Sequence, residues 1–470
     1  MRRVLALVTI LGLFVSGCGG VATEDQVPAT SEAPVTAFVD VVLVAMITDV
    51  ALPSQTVLIA GDRIVAIGPV GEVDVPSGAT VIDGRGAHLM PGLADMHVHL
   101  EDVWPVPILD LFLANGVTTV RNMNAQDPQV LAWRDAVSEG TRRGPTIFTA
   151  GPTIYEDVAD LGALVADQLD QGYDFVKLYS YLSPEGFDEA MAAIRANEGY
   201  AIGHVPYAVG LDGVIAAGMD EIAHLEELSF ELVEFDRAAE LGIGEWVPYI
   251  LERAEAELQS SGVDELLAER IDRAVAALGG ADIPVATTVF ISDLIVEKLL
   301  RPDAFLARPE LAYMPTAYMA EFEAGTETHQ VQFAGHEDIS ALRYTVVLML
   351  LRALHDAGVP LLLGTDAGTG SLGLPPGFTI HDELGILIGN GLTPYEAIQT
   401  GTVHASAAIE AMTGDDDFGT IEVGKRADLL LVGGNPLEDV AHIDEQLRGV
   451  MAAGVWYPEP ELSEMIAYDP

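Results

Sequence analysis

The chain has 470 residues, half of them hydrophobic, and 72 acidic against 22 basic side chains give a net charge of −50. The apolar content excludes a mostly disordered chain, and the charge excludes a protein that grips nucleic-acid phosphates. Lysine is reduced to Lys177, Lys298 and Lys425. That balance predicts a halophilic surface adapted to high external salt, with an ordinary acidic secreted protein as the alternative.

The amino-terminal stretch reads as an address. Met1-Arg2-Arg3 is positive, residues 4–15 are apolar but too short to span a bilayer as a helix, and small residues follow. Val15-Ser16-Gly17-Cys18 resembles the lipobox of bacterial lipoproteins, in which the signal is cut ahead of a cysteine that takes lipid. The resemblance implies a signal peptide and lipobox over 1–18, and a membrane attachment only through a lipid anchor at Cys18. It also implies export to the periplasmic or cell-surface face of a membrane. A secretory signal with an incidental cysteine is the alternative. Cys18 is the sole cysteine of the sequence, so it has no partner for an intrachain disulfide. Residues 19–36 are small, polar and proline-bearing, as a flexible linker should be.

Residues 37–90 read as strands. Thr56-Val57-Leu58-Ile59-Ala60, the turn Gly61-Asp62 and Arg63-Ile64-Val65-Ala66-Ile67 predict a hairpin. Strand patterns return at 424–432 and 449–457, so 37–90 and 420–462 are expected to form one small β-sandwich from both chain ends. Between them, short apolar runs fall at about 94–99, 116–121, 145–150, 174–179, 200–204, 220–224, 284–290 and 360–366, separated by helical patterns. That alternation predicts an α/β fold, a (β/α)8 TIM barrel over 91–419, with an insertion around 225–340 over its mouth. The charged helical stretch 250–278 reads as a solvated face or a subunit contact, which leaves a homo-oligomer open. Thr393-Pro394-Tyr395-Glu396 predicts a capped helix start.

Barrel chemistry sits at the carboxyl ends of the strands. His97 and His99 end the first run two residues apart, a spacing that puts both imidazoles on one face. Lys177 ends the fourth run, His204 the fifth, His224 the sixth and Asp366 the eighth. Imidazole and carboxylate together suit a divalent cation such as zinc. An ammonium would repel cations, but a neutral Lys177 amine that takes carbon dioxide becomes an anionic carbamate. A salt bridge at the barrel mouth is the plainer reading of Lys177. Tyr179, Tyr207 and His381 are weaker candidates for the substrate pocket, with packing as the alternative. His329 and His336 lie in the insertion and are within reach of the mouth, whereas His88, His355, His404 and His442 read as structural or exposed.

Several motifs join this pattern. They are Pro91-Gly92-Leu93-Ala94-Asp95-Met96-His97-Val98-His99, Gly116-Val117-Thr118-Thr119-Val120-Arg121, Gly364-Thr365-Asp366-Ala367-Gly368 and Gly424-Lys425-Arg426-Ala427-Asp428-Leu429. Gly377-Phe378-Thr379-Ile380-His381-Asp382-Glu383-Leu384 and the segment from Gly391 to Ala397 follow in family order. Over about 40–460 the chain resembles the amidohydrolase superfamily, in particular its imidazolonepropionase-like and prolidase-like metal-dependent hydrolases. The resemblance implies two divalent metal ions, with zinc the expected metal. His97, His99 and Asp366 would hold one, His204 and His224 the other, and carbamylated Lys177 and a hydroxide would bridge them. It implies catalytic roles for Asp366 in proton transfer and for His224 at the substrate carbonyl. The implied reaction is hydrolysis of an amide C–N bond in a small molecule: a dipeptide, an N-acyl amino acid or a cyclic amide. A lactonase or esterase on the same site is one alternative, and a non-catalytic metal- or ligand-binding lipoprotein another. One-metal deaminases of the superfamily place an acid/base glutamate shortly after the fifth-strand histidine. Here Val205-Pro206-Tyr207 follows His204, which favours two-metal hydrolysis.

Overall fold

A computed structural model describes residues 34–258 and 263–468. The signal, Cys18 and most of the linker therefore lie outside the described residues. No helix among the described residues is long and apolar enough to cross a membrane.

The fold is α/β. The first five strands are β1 Val35–Leu43, β2 Leu52–Ala60, β3 Arg63–Pro69, β4 Thr80–Asp83 and β5 His88–Pro91. Eight short parallel strands follow: β6 Leu93–Val98, β7 Val117–Asn122, β8 Thr146–Thr149, β9 Val176–Leu178, β10 Ala201–Gly203, β11 Glu221–Ile222, β12 Val285–Ala286 and β13 Leu361–Leu362. The last three are β14 Leu429–Val432, β15 Leu447–Ala452 and β16 Val455–Pro458.

Both chain ends pair in one sheet, in the order β16-β15-β14-β5-β1-β2-β3, with β4 alongside β1. Its apolar face buries Phe38, Val57, Ile59, Leu429 and Met451 together. The hairpin read from the sequence is the β2–β3 pair, turning at Gly61-Asp62. The parallel strands run as β6-β7-β8 and as β9-β10-β11-β12-β13. Parallel bridges Ala150↔Phe175 and Val98↔Ala367 join the two runs, the first at β8 and β9, the second at β6 and the segment after β13. Every residue of β6 and of β7 is buried, as strands covered on both faces must be.

Inside this layer Arg121 on β7 and Glu221 on β11 form a fully buried two-pronged ion pair, and Arg121 Nε donates to the Met96 carbonyl at 2.9 Å. These bonds tie three strands across the interior. Breaking such a pair costs about 3–5 kcal/mol, because the remaining charge is left buried.

The seventh strand stops far short of the expected 284–290. The carboxylate of Glu383 accepts from the backbone N–H groups of Val289 (2.9 Å) and Phe290 (2.7 Å), which starts the helix Phe290–Leu300 instead. The expected 225–340 insertion is consequently divided by β12. Helices Trp246–Leu258 and Val263–Ala281 precede that strand, and a helical run from Phe290–Leu300 to Glu337–Asp356 follows it. Thr393 does cap its helix: its hydroxyl accepts from the Glu396 N–H, and Glu396 Oε2 accepts in return from the Thr393 N–H at 2.8 Å.

Candidate functional site

The strand ends open into a cavity of about 330 Å³, a size suited to a small molecule. His97, His99, Lys177, His204, His224 and Asp366 all line it, as do Tyr179 and Tyr207. His381 does not. It sits on the helix Thr379–Gly389, and its Nε2 bonds the Asn115 carbonyl at 3.1 Å, so the helix carries it away from the pocket. His329 also lines the cavity, whereas His336 pairs with Glu255 elsewhere.

The imidazoles are crowded. Ring centroids of His97 and His224 lie 4.2 Å apart, those of His204 and His224 4.5 Å, and those of His97 and His99 5.6 Å. Three of the rings are anchored through Nδ1. His97 Nδ1 donates to the Ala223 carbonyl at 2.9 Å. His204 Nδ1 lies 2.7 Å from Glu227 Oε1 and 2.9 Å from Ser180 Oγ. His224 Nδ1 lies 3.2 Å from both Glu226 Oε1 and Thr288 Oγ1, and that hydroxyl donates to Glu226 Oε2 at 2.7 Å. A ring that donates from Nδ1 to an acceptor keeps its proton there and presents Nε2 as a lone pair.

This tautomer has a consequence at His97. Its Nε2 faces Asp366 Oδ1 at 3.2 Å, out of line for a hydrogen bond. Two electron-pair donors therefore meet in a sealed place, a contact that a cation between them relieves. His97, His224 and Asp366 each offer one ligand atom, all within 4.8 Å of one another. The Lys177 Nζ is buried with no hydrogen-bond partner among the described residues. This donor set, all imidazole nitrogen and carboxylate oxygen around an unpaired amine, fits divalent metal ions.

Backbone geometry aims these groups. Asp366 adopts φ +60°, a left-handed conformation that non-glycine residues enter at a cost of about 1–3 kcal/mol. Asp95 holds the turn: its carboxylate accepts from Thr365 Oγ1 at 2.6 Å, from Thr365 N–H at 3.1 Å and from His97 N–H at 3.3 Å. One buried side chain thus fixes the ends of the first and eighth parallel strands together. At Gly368, φ +104°, a Cβ would lie 1.9 Å from the His99 carbonyl oxygen, so only glycine lets these segments meet.

Burial pushes His97 and His204 well below the usual imidazole range, and the neighbouring Lys177 adds to it. Burial opposes the charge on His224 as well, but Glu226 outweighs it and the net shift is upward. Burial would raise Asp366, yet its net shift is well below the ordinary carboxylate range, and His99 Nε2, 2.8 Å from Oδ1, is the ring that donates to it. Lys177 is lowered to about 8 by burial, and Glu227 is raised to about 7 by burial.

Glu226, Glu227, Ser180 and Arg343 escaped the sequence reading. Glu226-Glu227 follows His224 by only two residues, and an acid pair so close to a strand-end histidine was the available signal. Nothing local marks Ser180 or Arg343.

The description "Amidohydrolase family" belongs to a family model that matches residues 329–457. An adenine deaminase of Chelativorans sp. (strain BNC1) is 35% identical over 107 residues, 22% of this chain and 18% of that protein. The matched region thus spans under a fifth of that protein's length. A 5-methylthioadenosine/S-adenosylhomocysteine deaminase of Halobacterium salinarum (strain ATCC 700922 / JCM 11081 / NRC-1) is 25% identical over 408 residues, 79% of this chain and 77% of that one. Among solved structures, a Xaa-Pro dipeptidase with bound methionine in the active site superposes with a TM-score of 0.61 at 20% identity, over 90% of this chain and all of that one. The family match and the shared fold bear out the resemblance to the amidohydrolase superfamily.

Proposed function

We propose that the chain is a metal-dependent hydrolase of amide C–N bonds in small molecules. The observation that supports this most is the meeting of His97, His99, Lys177, His204, His224 and Asp366 in one cavity, with the Nε2 of His97 set against the Asp366 carboxylate. The bridges Ala150↔Phe175 and Val98↔Ala367 support reading the eight parallel strands as a closed (β/α)8 barrel over 91–419. The sheet shared by the two ends is then its small companion domain, and the sequence alone supports export with an anchor at Cys18.

His97, His99 and Asp366 would hold one divalent cation and His204 and His224 a second, with Lys177 between them. When bound, such ions make water acidic enough to attack near neutral pH and polarise a carbonyl. A neutral Lys177 amine that adds carbon dioxide loses one proton and gains a carboxylate, so an orphaned donor becomes a pair of oxygen ligands. Asp366 stays ionised and is placed to take the proton of the attacking water. It hands that proton to the leaving nitrogen as the C–N bond breaks. Glu227 and Glu226 keep His204 and His224 in the tautomer that leaves Nε2 free. Tyr179, its ring 3.9 Å from that of His204, and Tyr207 wall the pocket on the same side.

A second reading, hydrolytic deamination, is favoured by Glu227. Its Oε2 is buried without a partner beside His204, and relatives carry deaminase names. The test is a zinc-reconstituted protein offered dipeptides, N-acyl amino acids, cyclic amides, lactones and aminopurines. Amide cleavage that stops on chelation is expected. Ammonia release from aminopurines alone would replace this reading with the second, and lactone or ester cleavage alone would make the enzyme an esterase.

A further inference from the structure

A buried ion pair stands behind one wall of the cavity. Of the three lysines, Lys425 pairs with the exposed Asp416, Lys177 lies at the strand ends, and Lys298 is buried on the helix Phe290–Leu300. The Nζ of Lys298 donates to Glu327 Oε1 at 2.9 Å, to His329 Nδ1 at 3.0 Å and to the Leu372 carbonyl. Three N–H bonds thus meet three acceptors, and Glu327 matches the charge. Gly373, φ +70°, lets the backbone close on this group: a Cβ there would lie 3.2 Å from Lys298 Nζ and would overlap Tyr318 Oη. The loop that begins at Asp366 is held in this way, and its Thr369 and Leu372 line the cavity. A buried ion pair is often no more stabilising than apolar residues of its size, so stability alone does not account for this one.

His329, on the helix Thr328–Gln332, carries this arrangement into the cavity. An ammonium can only donate, so His329 accepts at Nδ1. Burial pushes the imidazole well below its usual range, and Lys298 adds to it, so the ring is neutral and its one proton sits on Nε2. The ring lines the cavity, and no partner for Nε2 occurs among the described residues. Ile291, Ile295, Phe333 and Leu372 line the cavity with hydrocarbon from the same segments. Arg343, another donor of the lining, is tied to the segment after His224 by bonds to Ser229 Oγ at 2.8 Å and the Glu226 carbonyl at 2.9 Å.

We infer that Lys298 is a positioning residue that fixes His329 as a hydrogen-bond donor to the substrate, so that this wall of the cavity takes a substrate group bearing an uncharged acceptor such as a carbonyl oxygen. The inference rests on the amide-hydrolase reading for the reaction and on separate residues for the contact. Because Glu327 neutralises Lys298, the ring offers a directed N–H without a net charge behind it. A group that brings its own N–H to this place meets donor with donor, and an apolar one leaves the buried N–H unpaired.

The test is long-range proton–nitrogen NMR of chelator-treated full-length protein with labelled histidine, near neutral pH, the His329 signals being assigned by their loss in His329→Gln. The wild type should carry the His329 proton on Nε2. In Lys298→Met the group left facing the ring is the Glu327 carboxylate, 3.5 Å from Nδ1, so the proton should move to Nδ1 and Nε2 become an acceptor. Uncharged N-acetyl amino acid amides are then titrated in. At least one should shift the wild-type Nε2 signal to saturation, and Lys298→Met should bind it about tenfold more weakly. His329→Gln, which keeps an N–H donor, should stay within about threefold of wild type. Where melting curves show Lys298→Met unfolded, Lys298→Met with Glu327→Gln takes its place. There the new amide oxygen accepts the Gln330 N–H, as Glu327 Oε2 does at 3.0 Å, and the amide –NH2 faces Nδ1, so the Nε2 proton and the affinity should both be kept. A wild-type proton on Nδ1, a His329 signal that no amide moves, a proton still on Nε2 in Lys298→Met, or its loss from the double variant overturns the inference. A shifted signal without hydrolysis of any amide on zinc reloading leaves the donor standing and removes the amide-hydrolase reading. Hydrolysis with an unmoved signal does the reverse.

Discussion

Lys177→Ala should lose bound metal and activity together. The wild-type side chain is buried beside Asp366 and Glu227 with its Nζ unpartnered, so an ordinary salt bridge does not account for it. Residues that merely support metal ligands change affinity or activity by about 10–100-fold when mutated. A residue lying between two cations should exceed that, so a fall in kcat/KM of about 100-fold or more is expected. Elemental analysis should show at least one ion lost per chain. Full occupancy in the folded variant would return Lys177 to a packing role. The lowered basicity, to about 8, also has a sign. The folded-state value lies below the ordinary lysine value near 10.4. Burial of this amine therefore destabilises the metal-free fold at neutral pH, and the penalty fades as pH rises through the interval between those two values. The metal-free protein should melt later at pH 9 than Lys177→Met predicts from its own pH dependence.

Asp366→Asn should separate catalysis from folding. Asparagine keeps the shape and tolerates the left-handed backbone at φ +60°, so the turn held by Asp95 and Thr365 survives. It cannot take a proton from water. General acid–base groups contribute about 10²–10⁴-fold, and kcat should fall by that much while the melting temperature stays close to wild type. Near-normal turnover would remove the proton-transfer role from this residue.

Much of this architecture was legible because its signals are local. The parallel strands are apolar runs of a few residues, and the chemistry-bearing side chains end those runs: His97, His99, Lys177, His204, His224 and Asp366 come together in one cavity. Element ends were less legible because distant residues set them. Glu383, on a helix almost a hundred positions away, turns the end of the expected seventh strand into a helix start at Phe290. His381 sits in a segment that carries the family resemblance, yet its bond to the Asn115 carbonyl depends on packing that a linear pattern does not encode. Glu227, Ser180 and Arg343 gain their roles from contacts between segments, and no periodicity announces those. The deamination question turned on residues directly following His204, whereas the carboxylate beside that ring arrives from the next strand.

The central claim is that these six side chains are gathered to hold cations. Its most direct measurement is anomalous scattering at the zinc edge from crystals of the zinc-reconstituted protein. The account predicts two peaks, one within bonding distance of His97, His99 and Asp366 and the other of His204 and His224, with Lys177 between them. An active crystal with no peak among these residues would contradict it.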